Sequence, residues 1–374
     1  MMRKLICLAL AVPAVALADV TVGITLSATG PAAALGVSQK NSVDLLPTTI
    51  AGEKINWVVL DDASDPTNAA KNAKKFVDEN KVDVMIGSSI VATCKAVVEV
   101  AATGKTPLVA LAPFDLPADK DHWVFKVVQP ISMMAKALVD NMVAQNVKTV
   151  GFIGFADPYG DAWLNESQKY AESKGIKFVA VERYARSDTS TTGQVLKVLS
   201  AKPDAVLIGA SATPATIPQI ALVERGYKGL IYQTAGAVGK DVLRVGGKSM
   251  EGGIAVAGPI VVWNQLPDSH PSKKAAAAYA KAYEAKYGEG SMVPQGGHFW
   301  DAAAIVSRAI PVALKKAKPG TDAFRVAIRD AIEGEREIVG VHGVFNMEPN
   351  DHFGQDARAR VLVKVENGAY KLIK

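Results

Sequence analysis

The run Val82-Asp83-Val84-Met85-Ile86-Gly87-Ser88-Ser89, followed by residues 93–103 and then by Pro107-Leu108-Val109-Ala110-Leu111-Ala112-Pro113-Phe114, decides the fold. Its first six residues read as a strand buried on both faces, because apolar residues run on without polar alternation. Residues 93–103 carry apolar side chains at helical spacing, and 107–112 read as a second buried strand. A strand, a short polar loop and a helix in that order place the hydroxyls of Ser88 and Ser89 beside unpaired helix N-terminal amides at a strand's carboxyl end. Such a place binds anions or polar head groups without any catalytic residue. The second strand ends beside it and offers Pro113 and Phe114 to the same crevice. One wall of a small-molecule site is expected here.

The same unit repeats outward. Strand-like runs open at Val20, Ile55, Val82 and Pro107, and a second series opens at Thr149, Phe178, Asp204 and Gly229. The spacing of roughly 25 to 35 residues is that of a strand plus its crossover helix. Two α/β lobes, each a doubly wound parallel sheet, follow from it. Asp65-Pro66 opens a helix over 69–80, and Asp157-Pro158-Tyr159-Gly160 opens another over 163–174, since Asp caps a helix whose first turn tolerates Pro. Three extended stretches, 123–130, 255–263 and 343–345, have no strand–helix–strand unit of their own and read as crossings between the lobes. Long helices are expected over 272–287, 297–317 and 321–333, and a hairpin turned at Asn367-Gly368 closes the chain. The expected lobes are 19–128 with 263–342 and 129–262 with 343–374, an arrangement that allows hinge closure over a ligand.

Length and composition agree. At 374 residues the chain exceeds one ordinary core, and its 49% apolar and 21% charged content is that of a packed globular protein. Residues 1–18 stand apart: Arg3 and Lys4 precede an apolar run ending in Ala16-Leu17-Ala18, the pattern of a secretory signal peptide cut after Ala18. The run is shorter than the roughly 20 residues of a spanning helix. A periplasmic location is expected. Cleavage would lower the net charge from +5 to +3, too little to suggest nucleic acid. It would also leave Cys94 as the one mature cysteine, expected to be buried and inert.

Motifs of catalysis are missing. Gly209-Ala210-Ser211-Ala212-Thr213 fails the nucleophile-elbow pattern at its last position, and Gly247-Lys248-Ser249 lacks the earlier glycine of a phosphate loop. The five histidines show no metal-ligand spacing. Asp61-Asp62 reads as a loop whose carboxylates cap backbone N–H groups, not as an acid pair. Neither an enzyme nor a cofactor is expected.

In order along the chain, Val22-Gly23-Ile24, Thr29-Gly30-Pro31-Ala32-Ala33, Asp61-Asp62-Ala63-Ser64-Asp65-Pro66, Ile86-Gly87-Ser88, Trp123-Val124-Phe125-Lys126, Asp157-Pro158-Tyr159-Gly160-Asp161, Pro203-Asp204-Ala205-Val206, Gly252-Gly253 and Trp300-Asp301-Ala302-Ala303 resemble the leucine/isoleucine/valine-binding protein family of periplasmic solute-binding proteins. The resemblance runs from about Asp19 to the end. It implies two lobes joined by a three-strand hinge, a ligand between them, a monomer, and delivery to the membrane permease of an ABC transporter.

It also implies a set of ligand contacts from which this sequence departs. The family's serine after the third strand falls on Val91, with Ser88, Ser89 and Thr93 nearby; its backbone carbonyl after the fourth is that of Ala112, and its threonine there falls on Phe114. Its acidic residue, which faces the ligand ammonium, falls near Gly236 in Thr234-Ala235-Gly236-Ala237, and Leu35 stands where an aromatic is common. Only Tyr159 keeps its type. Enclosing an ammonium without a counter-charge costs several kcal/mol, most of the ~8 kcal/mol of a micromolar complex. The expected ligand is therefore a small organic acid, aliphatic or aromatic, without an α-amino group. Its carboxylate would be met by the Ser88-Ser89 hydroxyls and helix amides without an arginine. Phe114, Tyr159 and Trp163 would pack on its apolar part. The second lobe would add Ser211, Thr213, Ala235 and Gly236; His298 is a weaker candidate, more in keeping with an exposed position. A branched-chain amino-acid binder and a periplasmic sensor of the same fold remain alternatives, and a secreted hydrolase is disfavoured.

Overall fold

The computed structural model describes residues 19–373; residues 1–18, where the signal peptide is expected, lie outside the described residues. Fifteen strands form among them: β1 Val20–Leu26, β2 Thr49–Ile50, β3 Glu53–Asp61, β4 Val84–Gly87, β5 Leu108–Ala110, β6 Val124–Lys126, β7 Thr149–Phe155, β8 Lys177–Tyr184, β9 Ala205–Gly209, β10 Leu230–Gln233, β11 Ile254–Ala257, β12 Ile338–Val339, β13 Val344–Phe345, β14 Val361–Glu366 and β15 Ala369–Leu372. One large sheet has the order β2-β3-β1-β4-β5-β6, the other β15-β14-β11-β10-β9-β7-β8, and β12 and β13 form a separate two-stranded sheet. Strand β1 pairs parallel with β3 and β4, with Val22 opposite Trp57 and Val84. The fold is thus α/β with two parallel-sheet lobes, as the strand spacing predicts.

Helices cover both faces of each sheet, and their starts follow from the sequence. Asp65 accepts from the Asn68 N–H and Asp157 from those of Tyr159 and Gly160, so the helices Pro66–Asp78 and Pro158–Ser173 each begin at Pro. Helices Pro294–Leu314 and Asp322–Gly334 bury Phe299, Val306, Phe324 and Ile328 against Val22, Ile24 and Ile86 of the first sheet. On the other face, the helix Val91–Thr103 joins the helices Ile131–Ala144 and Pro158–Ser173 in one apolar cluster that runs on into β7 and β9. Cys94 is fully buried in it, and burial pushes its thiol pKa up. The C-terminal hairpin adds β14 antiparallel to β11, and its two turn residues, Asn367 and Gly368, both take positive φ, as a tight hairpin turn requires.

The crossings differ in part from expectation. β6 is not without a partner: it pairs parallel with β5, Leu108 opposite Val124, as the edge of the first sheet. Only three residues of 123–130 pair, and the rest leads into the helix Ile131–Ala144. The stretch after β11 turns at once into the 3-10 segment Pro259–Gln265. β13 pairs antiparallel with β12, and Phe345 and Met347 pack in the first sheet's cluster.

Candidate functional site

The carboxyl ends of the parallel strands in both sheets converge on one cleft. From the first sheet come Ser89 and Ile90 after β4 and Leu111, Ala112 and Pro113 after β5; Leu35 and Gln39 come from the helix Ala33–Val43. From the second come Tyr159 and Trp163 on the helix after β7, Arg186 after β8, Ser211 after β9, and Ala235 and Gly236 after β10. Val128, Gln129, Gln295 and His298 close the floor. The cavity in the cleft measures about 60 Å³, several times the ~10–15 Å³ that one water needs.

Among the residues expected at the site, Ser89, Ala112, Tyr159, Ser211, Ala235 and Gly236 line this cleft, and so does Trp163. Four do not. Ser88 turns inward and donates to Asp62 at 2.5 Å while accepting from the Ser89 N–H. Thr93 donates back to the Ile90 carbonyl at 3.0 Å, and Thr213 starts the 3-10 turn Thr213–Ala215. Phe114 lines a neighbouring cavity with Lys95, Asp115 and Phe353.

Asp62 explains why Ser88 is unavailable. Its carboxylate is fully buried and accepts from Thr25, Ser27, Ser88 and the Ser64 N–H. Burial raises its pKa and these bonds oppose the rise. Asp61 accepts from the N–H groups of Ala28, Thr29 and Ala63. The pair therefore holds loops in place, and only Ser89 is left at the cleft. There it accepts from the Ser27 N–H and donates to Gln39 Oε1 at 2.5 Å.

The largest correction is Arg186. It is the one Asp, Glu, Lys or Arg among the cleft-lining residues, where an anion site without arginine was expected. Its Nε donates to Asp157 at 2.5 Å, its Nη1 to Ser211 Oγ at 2.9 Å, and its guanidinium carbon stands 4.1 Å from the Phe155 ring centroid. Nη2 has no acceptor among the described residues and is free to donate. Arg186 looks solvent-facing in sequence, but it follows a parallel strand at its carboxyl end, the same positional rule that picked out Ser89.

Nearby, Tyr159 donates to Thr234 Oγ1 at 3.0 Å, and Thr234 in turn donates to the Ala210 carbonyl. Burial raises the Tyr159 pKa, so it stays a neutral phenol. The buried Trp163 indole N–H lies near that phenol but makes no hydrogen bond among the described residues. Gly236 allows this packing: a Cβ there would stand 2.6 Å from Ser211 Cβ and 2.7 Å from the Tyr159 hydroxyl.

His298 is not exposed as the sequence suggests. Its ring stacks on that of His342, centroids 3.6 Å apart, and its Nε2 lies 3.3 Å from Gln129 Oε1. Because Gln129 spends its Nε2 on the Ala359 carbonyl, its Oε1 accepts and His298 Nε2 carries the proton. Burial and the neighbouring ring hold His298 well below its usual pKa, and burial lowers His342 to about 4. Under this pair, Asp301 accepts from the Val341 and His342 N–H groups, and burial pushes its carboxyl up to about 7. An ordinary aspartate titrates near 3.8, so the native state keeps this proton where the unfolded chain loses it. The contribution is full below about pH 3.8 and is lost as pH rises through about 7. Asp301→Asn cannot ionise, so the stability of the unsubstituted protein relative to this variant should fall between pH 5 and pH 8. Urea unfolding at both pH values measures it; an unchanged difference refutes the shift.

Among the described residues no group of three His, Cys, Asp or Glu side chains could hold a metal ion, and no helix is long and apolar enough to cross a membrane. Two sheets of this topology with a small cleft at their strand ends define a two-lobed solute-binding protein. The chain belongs to the periplasmic binding protein family, whose model matches residues 19–369. It is similar to an extracellular ligand-binding receptor from Rhodopseudomonas palustris HaA2, with 47% identity, a TM-score of 0.94, and 96% of this chain and 100% of that chain covered. At 18% identity and TM-score 0.79 it shares its fold with the R. palustris ABC-transporter solute-binding protein RPA0668, solved with benzoate, with 95% and 96% covered. At 19% identity and TM-score 0.77 it shares it with the branched-chain amino-acid binding protein LivJ from Streptococcus pneumoniae, solved with isoleucine, with 95% and 99% covered. No curated protein matches the chain.

Proposed function

We propose that the protein is the periplasmic solute-binding component of an ABC importer, not an enzyme, and that it closes on a small aliphatic or aromatic carboxylate without an α-amino group. The lobes would be 19–128 with 263–342 and 129–262 with 343–374, in a monomer exported by a signal peptide cut after Ala18. The observation that carries the ligand class is Arg186, a fixed cation in a cleft whose lining includes no carboxylate. The aspartates near these elements in sequence are spoken for: Asp157 by Arg186 and two helix amides, Asp161 by Arg183, Asp188 by the Ala185 N–H and Asp241 by Arg244. A ligand ammonium would find no counter-charge, whereas a carboxylate meets a guanidinium fork with Ser211, Ser89, Gln39 and the Trp163 N–H around it. Leu35, Ile90, Leu111, Met134 and the Tyr159 ring supply the apolar part. Two proteins that share this fold are solved with small carboxylic acids, RPA0668 with benzoate and LivJ with isoleucine.

Thermal unfolding with a panel of C4–C9 aliphatic and aromatic monocarboxylates, benzoate included, tests the reading. An acid at 100 times its Kd adds roughly 2.7 kcal/mol and raises Tm. Leucine, isoleucine and valine should not. Micromolar stabilisation by any of these three, or none by any acid, overturns it. Mass spectrometry of what the purified protein releases on unfolding would then identify the natural solute.

A further inference from the structure

We propose that Asp157 is the positioning residue of the anion grip. Its two oxygens divide between starting the helix that carries Tyr159 and Trp163 and aiming the Arg186 guanidinium into the cleft. The inference rests on Arg186 as the group that holds the ligand carboxylate. Oδ1 accepts from the Tyr159 N–H at 2.9 Å and the Gly160 N–H at 3.0 Å, and Oδ2 from Arg186 Nε at 2.5 Å. One side chain therefore sets the register between the helix after β7 and the loop after β8. With Nε held by Asp157, Nη1 by Ser211 and one face by Phe155, the guanidinium can present only its Nη1/Nη2 edge to a ligand. That edge matches a carboxylate in two-point contact. Such aiming gives Asp157 an effect on affinity opposite in sign to that of its charge. Coulomb repulsion alone says that a negative charge beside an anionic ligand weakens binding and that its removal tightens it. Positioning says that removal lets the long arginine side chain swing among rotamers and weakens binding.

Asp157→Asn separates the two, because asparagine caps a helix as well as aspartate does. Isothermal titration of the full chain would use the panel monocarboxylate with the lowest Kd, against unsubstituted protein, Asp157→Asn and Arg186→Gln. The Arg186 Nε–Hε signal would be followed by ¹⁵N NMR in ligand-free protein. Asp157→Asn should weaken binding about tenfold, within the range of coupled neighbours, leave the ligand-free Tm within about 2 °C, and erase the slowly exchanging Hε signal. Asp157→Ser, which keeps a capping oxygen too short for Arg186, should do the same and serves if the first variant folds poorly. Equal or tighter binding with the Hε signal intact overturns the inference. Should Arg186→Gln itself bind normally, the carboxylate grip falls first; should it lose binding while Asp157→Asn does not, only the positioning role falls. If no panel acid binds, the carboxylate reading is overturned, and the NMR signal alone still decides whether Asp157 aims Arg186.

Discussion

Arg186→Gln should raise the Kd for the bound carboxylate about 100-fold or more while moving the Tm of the ligand-free protein by only a few degrees. Removing one partner of a buried, hydrogen-bonded charge pair costs about 2–5 kcal/mol, and 1.4 kcal/mol is tenfold in Kd. A 100-fold loss is about 2.8 kcal/mol and falls inside that range, and the substitution also leaves Asp157 facing the anion without its cation. Stability suffers less. Asp157 keeps its helix-capping bonds, and in a chain of this length each kcal/mol lost moves the Tm by only about 2 °C. Arg186→Lys keeps the charge but loses the planar fork and its stacking on Phe155, and should recover only part of the affinity. Titration calorimetry with the best panel acid measures all three proteins. Equal Kd values for Arg186→Gln and the parent would remove the one feature that singles out a carboxylate.

The fold was readable because it is written in repeats. Eight strand starts, the Asp-Pro helix openings and the Asn367-Gly368 turn each have a local physical cause, and each appears where the local signal stands. Long-range partners were not readable. Ser88 and Ser89 look equivalent in sequence, and what separates them is Asp62, twenty-six residues earlier, which captures one hydroxyl and leaves the other at the cleft. Phe114 sits at a strand end as expected, yet the backbone there turns it into the adjoining cavity. Arg186 was missed because a loop arginine among serines and an aspartate reads as solvated surface, and only its contacts with Asp157, Phe155 and Ser211 fix it inward. His298 gave no sign of its stacking on His342, forty-four residues on. Local chemistry thus located the cleft, while the partners that select among its side chains come from distant segments.

Gly236→Asp restores a carboxylate at the place where the resemblance to amino-acid binders puts one, and it should still fail to create a leucine site. The new Cβ would meet Ser211 Cβ at 2.6 Å and the Tyr159 hydroxyl at 2.7 Å, so both must retreat. Tyr159 would lose its bond to Thr234, and Ser211 its bond from Arg186. Overpacking of this kind costs about 1–3 kcal/mol, and the carboxylate would compete with the ligand for Arg186. Acid binding should weaken about 100-fold or more, since the grip is both displaced and neutralised, and leucine, isoleucine and valine should give no thermal shift. Gly236→Ala isolates the steric part: it adds the same Cβ without charge and should weaken acid binding by a smaller factor, about tenfold. If Gly236→Ala binds the acid as tightly as the parent, Tyr159 and Ser211 are free to move without loss and the close packing at Gly236 does not shape the site. If Gly236→Asp instead acquires micromolar leucine binding, the missing charge alone separates this cleft from an amino-acid site, and Arg186 is no obstacle to a zwitterion.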